Sequence, residues 1–335
     1  MKKSLLALLV MVVLTSCVGC KSFKINVNLE NTTGKTVYLS RLEKGEMKTI
    51  DSVVAKNNNA VFKMKQSNSN DALHIMINGW RRPLTFFADN KDVTITGDYQ
   101  NYPEIKIVAS ESQDKLNKFF DEINKTNDDR EIHYQALDFV KQNIDNEMSP
   151  YVLYRYKWAF SLEDMNNLCE IMPDDMECGY MFEVLNYMDG LKKTSPGNPY
   201  IDFKQTDMNG EAFTMSDHIG KSKVIILDFW ASWCPDCRKA NPELVTLYNQ
   251  YKDKGLDIVS VSLDTDEAAW KKAIADDNLS WKNHVSDLKG WNNEVAQMYM
   301  VAFIPQTFII DQNGKIIEKN LPFEKMEDLL HSMLK

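Results

Sequence analysis

An apolar run, Val224 to Leu227, leads without a break into Asp228-Phe229-Trp230-Ala231-Ser232-Trp233-Cys234-Pro235-Asp236-Cys237. This stretch restricts the fold more than any other. A short buried run followed by a proline at a helix start implies a strand–turn–helix unit, with Pro235 in the first turn, where its missing N–H is no loss. The two cysteines then stand one helical turn apart. They sit at the end of the helix that exposes unpaired N–H groups and carries partial positive charge. A thiolate placed there is stabilised and its pKa falls, so Cys234 is the attacking sulfur. Cys237, within disulfide reach, attacks the resulting mixed disulfide and releases the reduced partner. A CxxC pair is also half of a zinc site, but the other half is missing: the five histidines are scattered and no second CxxC exists. No metal is expected, and no cofactor beyond the redox-active disulfide Cys234–Cys237.

The rest of the chain divides by pattern. Residues 25–109 carry short alternating runs separated by Thr33-Gly34, Lys44-Gly45, Asn57-Asn58-Asn59 and Asn78-Gly79, which predicts an all-β sandwich or barrel. Residues 110–193 switch to helical periodicity, with Leu116, Phe119, Phe120 and Ile123 on one face. The aromatic-rich run Tyr151 to Phe160 reads as core packing. Cys169 and Cys178 flank Met172-Pro173-Asp174-Asp175, a turn between helices. Two readings stay open there: a structural disulfide pinning the turn, or two separate thiols. Thr194-Ser195-Pro196-Gly197-Asn198-Pro199 (194–199) reads as a linker. Residues 200–335 alternate strand and helix signals and predict an α/β domain. It ends in a hairpin around Gln312-Asn313-Gly314 and a final amphipathic helix.

The N-terminus is a targeting segment. Lys2 and Lys3 precede an apolar run, Leu5 to Leu14, too short for a membrane span. Leu14-Thr15-Ser16-Cys17 resembles a bacterial lipobox. The resemblance implies cleavage after a signal peptide of residues 1–16, lipidation of Cys17 and a tether over 17–24. The chain would then be exported and held on a membrane by its lipid, facing the periplasm, where thiols can be kept as disulfides. With 39 basic and 48 acidic residues and no basic block, nucleic acid is not expected as a partner.

The strand–WC–helix stretch resembles the thioredoxin superfamily, and within it the exported TlpA/ResA-like thiol–disulfide oxidoreductases, over residues 200–335. The resemblance implies a thioredoxin fold and a buried acid at Asp228 that assists proton transfer from the second cysteine. The apolar neighbours Leu227, Phe229 and Trp230 favour that burial over a solvent-facing carboxylate. Phe303-Ile304-Pro305-Gln306-Thr307 resembles the family's cis-proline loop, whose backbone pairs with the substrate chain. That places Ile304 and Pro305 at the substrate, with Trp233 and Pro235 on the same surface and Trp230 in the packing. Asp228 resembles the wider thioredoxin superfamily more than the TlpA/ResA-like branch, many of whose members carry another residue there. Three further features depart from the family: Asp236 inside the CxxC, Gln306 after the proline, and Asn320-Leu321-Pro322 where a glycine is common. Residues ~25–109, through the stretch Phe86 to Asp98, resemble an uncharacterised β-domain that precedes thioredoxin-like modules in Bacteroidetes lipoproteins. The expected activity is exchange with protein thiols and disulfides of the cell envelope, as reductase or exchanger, fed by an upstream thiol reductant or oxidant. The alternatives are a lipoprotein binding or scaffold module on a thioredoxin fold, and a thiol peroxidase.

Overall fold

The computed structural model describes residues 21–67, 71–80, 82–176 and 178–335. The signal segment 1–16 and Cys17 lie outside the described residues. Among the described residues no helix is long and apolar enough to cross a membrane. The chain forms two compact units. The first takes the residues up to Asn127 with 145–151 and 175–180; the second takes 128–144, 152–174 and 181–335. The helical stretch 110–193, expected as one segment, is thus shared between them.

The first unit contains strands β1 (Ser22–Glu30), β2 (Thr36–Glu43), β3 (Glu46–Val54), β4 (Asn59–Lys65), β5 (Leu73–Ile77), β6 (Leu84–Phe86), β7 (Val93–Asp98) and β8 (Lys106–Val108), followed by helix α1 (Glu111–Ile123). They form two four-stranded sheets, ordered β4-β1-β7-β8 and β3-β2-β5-β6. Phe23, Ile25, Val27 and Leu29 alternate inward along β1 and share one core with Leu39, Ile75 and Phe86 of the other sheet. β1 begins at Ser22, inside the expected tether. β3 buries no residue and is held to β2 by its backbone ladder, with Met47, Ile50 and Val54 exposed. No inward–outward alternation marks it, and the sequence reading missed it. Ser110 caps α1, accepting the Gln113 N–H at 3.2 Å while its hydroxyl donates to the Phe87 carbonyl at 2.9 Å.

The second unit holds helices α2 (Asp129–Gln142) and α4 (Leu162–Ile171), the second half of α3 (Met148–Arg155) and most of α5 (Gly179–Lys193). It continues through β9 (Lys204–Asp207), β10 (Ala212–Thr214), β11 (Val224–Trp230), α6 (Pro235–Tyr251), β12 (Leu256–Ser262) and α7 (Glu267–Asp276). It ends with β13 (Asn283–Ser286), α8 (Glu294–Met298), β14 (Gln306–Asp311), β15 (Ile316–Lys319) and α9 (Phe323–Met333). One seven-stranded sheet runs β10-β9-β13-β12-β11-β14-β15. This is the expected α/β arrangement. β11 lies parallel to β12 and antiparallel to β14, and every one of its residues is buried, which is why its sequence is a continuous apolar run broken only by Asp228.

One expectation changes, and of two open readings one is selected. The stretch 194–199 is not a free linker: Thr194 is buried, Gly197 N–H donates to the Ile316 carbonyl at 2.8 Å, and Ile316 N–H donates to the Asn198 carbonyl at 2.8 Å. Proline and glycine here shape a segment that clips onto β15. Cys169 and Cys178 are not bridged. Cys169 on α4 packs its sulfur 3.6 Å from Met188 Sδ of α5, and burial raises its thiol pKa. Cys178 is buried just before α5.

Truncating Leu227 at the centre of β11 removes contacts from the packed sheet face to which it points. Leu227→Ala is expected to lower the unfolding free energy of the second unit by about 2–5 kcal/mol. Met47→Ala, on the exposed edge strand, should change that of the first by no more than about 0.5 kcal/mol. Denaturant unfolding of both variants checks the contrast.

Candidate functional site: a disulfide at a helix N-terminus

The sulfur pair stands where the central strand hands over to α6. Cys234 is the N-cap residue of α6, in extended backbone conformation, and Pro235 opens the helix. The Cys234 Sγ accepts the Cys237 N–H at 3.1 Å, so one of the orphan donors of the helix start points at this sulfur. Cys234 and Cys237 are joined in a disulfide, with their Cα atoms 5.3 Å apart. Cys234 is 5% exposed and Cys237 1%, so the first cysteine is the less covered of the two.

Trp233 and several side chains that no motif marks, Asp264, Arg238, Asn241 and Asp277 among them, hold this turn in place. The Asp264 carboxylate, buried after β12, accepts the Ser232 N–H at 3.0 Å, the Ser232 hydroxyl and the Ser262 hydroxyl at 2.7 Å. Trp233 donates its indole N–H to the neighbouring Leu263 carbonyl at 3.3 Å. On the helix side, Arg238 forms a bidentate pair with Asp277, Nη2 to Oδ1 at 2.7 Å and Nε to Oδ2. Its Nη1 also donates to the Ser232 carbonyl at 3.3 Å. Asn241 donates to the same Asp277 at 2.6 Å. The turn before the sulfurs is therefore clamped from β12 and from α6. The local signals were weak: an Asp two residues past Ser262, and an Arg next to the second cysteine.

Asp228 lies in mid-strand, 2% exposed, with Ser260 of β12 and Thr307 of β14 as its ladder neighbours. Its Oδ2 accepts the Ser260 hydroxyl at 3.0 Å. The Trp281 indole N–H, which can only donate, points at the same Ser260 oxygen at 3.0 Å, so the hydroxyl hydrogen is left for Asp228. Burial pushes the Asp228 carboxyl up to about 7, and the Ser260 hydrogen bond offsets part of that. An acid that changes charge near neutrality can give or take a proton.

The Ile304–Pro305 peptide bond is cis. The Ile304 carbonyl oxygen lies 3.7 Å from Cys234 Sγ, a contact that a reduced thiol can turn into a hydrogen bond. β14 starts one residue later, at Gln306, and among the described residues the Phe303 and Ile304 backbones make no backbone hydrogen bond. The loop thus presents an open backbone edge beside the sulfurs. Trp230 is fully buried and Trp233 is 51% exposed, its ring 6.2 Å from that of Trp291, another exposed aromatic. Phe303 is exposed as well. Gln306 is buried after the proline, and its Oε1 has no hydrogen-bond partner among the described residues. Asn320 replaces the family's glycine with a positive φ of 53°, and its Oδ1 accepts the Thr307 N–H at 3.0 Å.

The AhpC/TSA family matches residues 196–319, and a domain of unknown function, DUF4369, matches residues 23–116. The thiol-disulfide oxidoreductase ResA of a Bacillus cereus strain is 31% identical over 138 residues, 41% of this chain and 76% of the relative. ResA of Oceanobacillus iheyensis is 32% identical over 157 residues, 45% of this chain and 79% of the relative. Among solved structures, the C-terminal domain of a putative thiol-disulfide oxidoreductase from Bacteroides thetaiotaomicron is 34% identical, with a TM-score of 0.40, and covers 42% of this chain and 97% of that one. With a CxxC disulfide at the start of the helix that follows its central strand, the chain belongs to the ResA-like thiol–disulfide oxidoreductases of the thioredoxin superfamily.

Proposed function

We propose that this oxidoreductase is an exported lipoprotein, anchored through Cys17, that reduces or exchanges disulfides of proteins in the cell envelope. The observation that carries the reading is the Cys234 sulfur: it caps a helix, takes the Cys237 N–H, and faces the open Ile304 edge. In the reduced protein the Cys234 thiolate attacks one sulfur of a substrate disulfide. A mixed disulfide forms, and the first substrate sulfur leaves as a thiolate that takes a proton. Cys237 then loses its proton and attacks Cys234 Sγ. The mixed disulfide breaks, the second substrate thiol leaves, and Cys234–Cys237 is oxidised by two electrons. An upstream thiol reductant returns the pair to its starting state, so sulfur carries the electrons and no bound cofactor is required. Asp228 is the group that accepts the Cys237 proton, a role its pKa near 7 suits. Ile304 and Pro305 offer their backbone edge to the substrate strand, flanked by Trp233 and Pro235.

Asp236 favours a reducing couple. It occupies the first turn of α6 beside Cys234. Its negative charge opposes a thiolate there, which destabilises the reduced form and makes the couple more reducing. The pair should equilibrate with glutathione at a potential more negative than about −180 mV, and Asp236→Asn should move it in the oxidising direction. A wild-type value near the ~−120 mV of strong envelope oxidants would reverse the assignment.

Insulin reduction tests the exchange activity itself: it should fall to background in Cys234→Ser, and equal rates would sink the reading. Cys237→Ser should accumulate substrates as mixed disulfides on Cys234, identifiable by mass spectrometry. Asp228 gives a pH signature. Its carboxyl pKa is raised from 3.8 to about 7 in the fold. The folded state therefore binds the extra proton between those values, and stability falls as pH rises from about 4 to about 7. Asp228→Asn removes this loss. The variant should gain roughly 2–4 kcal/mol over wild type at pH 8, and the gap should close toward pH 4. Its mixed disulfide should resolve about 10²-fold more slowly. Denaturant titrations at both pH values and single-turnover kinetics are the readouts.

A further inference from the structure

The cleft beside the sulfur pair is not made by the seven-stranded domain alone. Its volume of ≈ 580 Å³ is lined by Asp236 and the Phe303–Pro305 loop, and equally by His133 and Tyr134 of α2 with Trp158 and Ala159 of the 3-10 turn at Lys157–Ala159. These two pieces of helical chain belong to the same compact unit as the redox site. We infer that they form the second wall of the substrate cleft, and that this wall selects an extended polypeptide carrying an apolar or aromatic side chain beside its target cysteine. The inference rests on the exchange reading above and adds the class of substrate.

The wall is built as one body. The His133 Nδ1 lies 2.9 Å from the Ala159 carbonyl oxygen, which can only accept, so this nitrogen donates and ties α2 to the 3-10 turn. The His133 ring also packs against Phe160, 5.5 Å between centroids. The 3-10 turn is tied to α5, with Lys157 Nζ 4.7 Å from the centre of the Tyr187 ring, and α5 in turn meets the chain that leads into the cleft. Gly190 of α5 stands so close to Met300 that a Cβ there would fall 2.4 Å from Met300 Cγ. Met300 lies three residues before Phe303, on the chain that leads into the cleft. A side chain at position 190 would push the Met300 side chain aside.

The chemistry of the lining identifies the occupant. Tyr134 is 66% exposed, and its ring meets that of His133 edge-on rather than entering a core. Exposed aromatics gathered at a cleft mark a binding surface. Cys234 is nearly covered, so a target disulfide must arrive on a thin, extended chain. Such a chain, paired along the open Ile304 edge, turns alternate side chains to opposite sides. Those turned toward α2 meet Tyr134 and Trp158. Asp129 and Arg130 also line the cleft. With Asp236 they set two carboxylates against one guanidinium, which disfavours an acidic segment. Helical spacing predicts packing for the aromatic run Tyr151 to Phe160; Trp158 departs from that because it is only half-buried and lines this cleft.

The test compares two substrates on the full chain: insulin, whose disulfides sit in polypeptide, and bis(2-hydroxyethyl) disulfide, which has no chain to place. Tyr134→Ala opens the wall, and Ala159→Trp fills the cleft. In both, the insulin rate relative to that on the small disulfide should fall by about fivefold or more, chiefly through a higher KM for insulin. Far-UV circular dichroism and the glutathione redox potential, unchanged in both variants, show that the fold and the pair are intact. A ratio equal to wild type in both variants overturns the wall, even when both rates fall together. That failure is distinct from failure of the exchange reading, which would show as wild-type protein no faster than Cys234→Ser on either substrate.

Discussion

The contact on which the site depends is one N–H, that of Cys237, aimed at the sulfur of Cys234. It exists only because α6 begins at Pro235, and α6 begins there only because β11 has run, wholly buried, to Trp230. Sheet, turn and helix thus fix the sulfur before any chemistry occurs. The turn between strand and helix is the weak link of such a design, since four residues must leave a sheet and enter a helix. Here it is held by ionic groups. Asp264 binds Ser232 from the strand side, and Arg238, itself anchored on Asp277, binds the Ser232 carbonyl from the helix side. A partly buried charge-assisted network of this kind is directional, so it sets geometry more than it adds stability.

The parts of this arrangement that follow from local rules were legible in the sequence. A buried run, a proline and two cysteines at helical spacing define the strand, the helix start and the disulfide. The asparagine–glycine turn at 313–314 defines the last hairpin, β14–β15. Asp228 stood out because it is the one charge in an apolar run, and it is buried as its neighbours implied. What was not legible depends on residues far apart in the chain. Asp264 and Asp277 are ordinary acidic residues until the fold brings them to Ser232 and Arg238. Trp158 looked like one more aromatic at helical spacing, and nothing within its own segment says that it meets Phe303 and Pro305 at a cleft. The linker composition of 194–199 misled for the same reason: its backbone partners, at Ile316, lie more than a hundred residues away.

The first unit follows simpler physics. Two sheets bury their facing apolar residues in one core, and the polar alternation along β1 accounts for which side faces in. Its outer strand, β3, is held to β2 mainly by the backbone ladder, with Val53 as the β3 side chain that packs against the core. Such an edge carries exposed Met47 and Ile50 interspersed with Glu46, Lys48 and Asp51, charges that discourage a second sheet from adding to it.

The hydroxyl of Ser260 is held between two neighbours of unequal capacity. Trp281 can offer hydrogen and nothing else, so the serine has no freedom in where its own hydrogen goes. When the carboxyl it faces gains or loses charge, that small dipole is already turned the right way. Water at the same place would have to rotate with each change and would add a reorganisation cost to every proton transfer. A buried acid served by such a fixed dipole can cycle between its two forms while the surrounding sheet stays still.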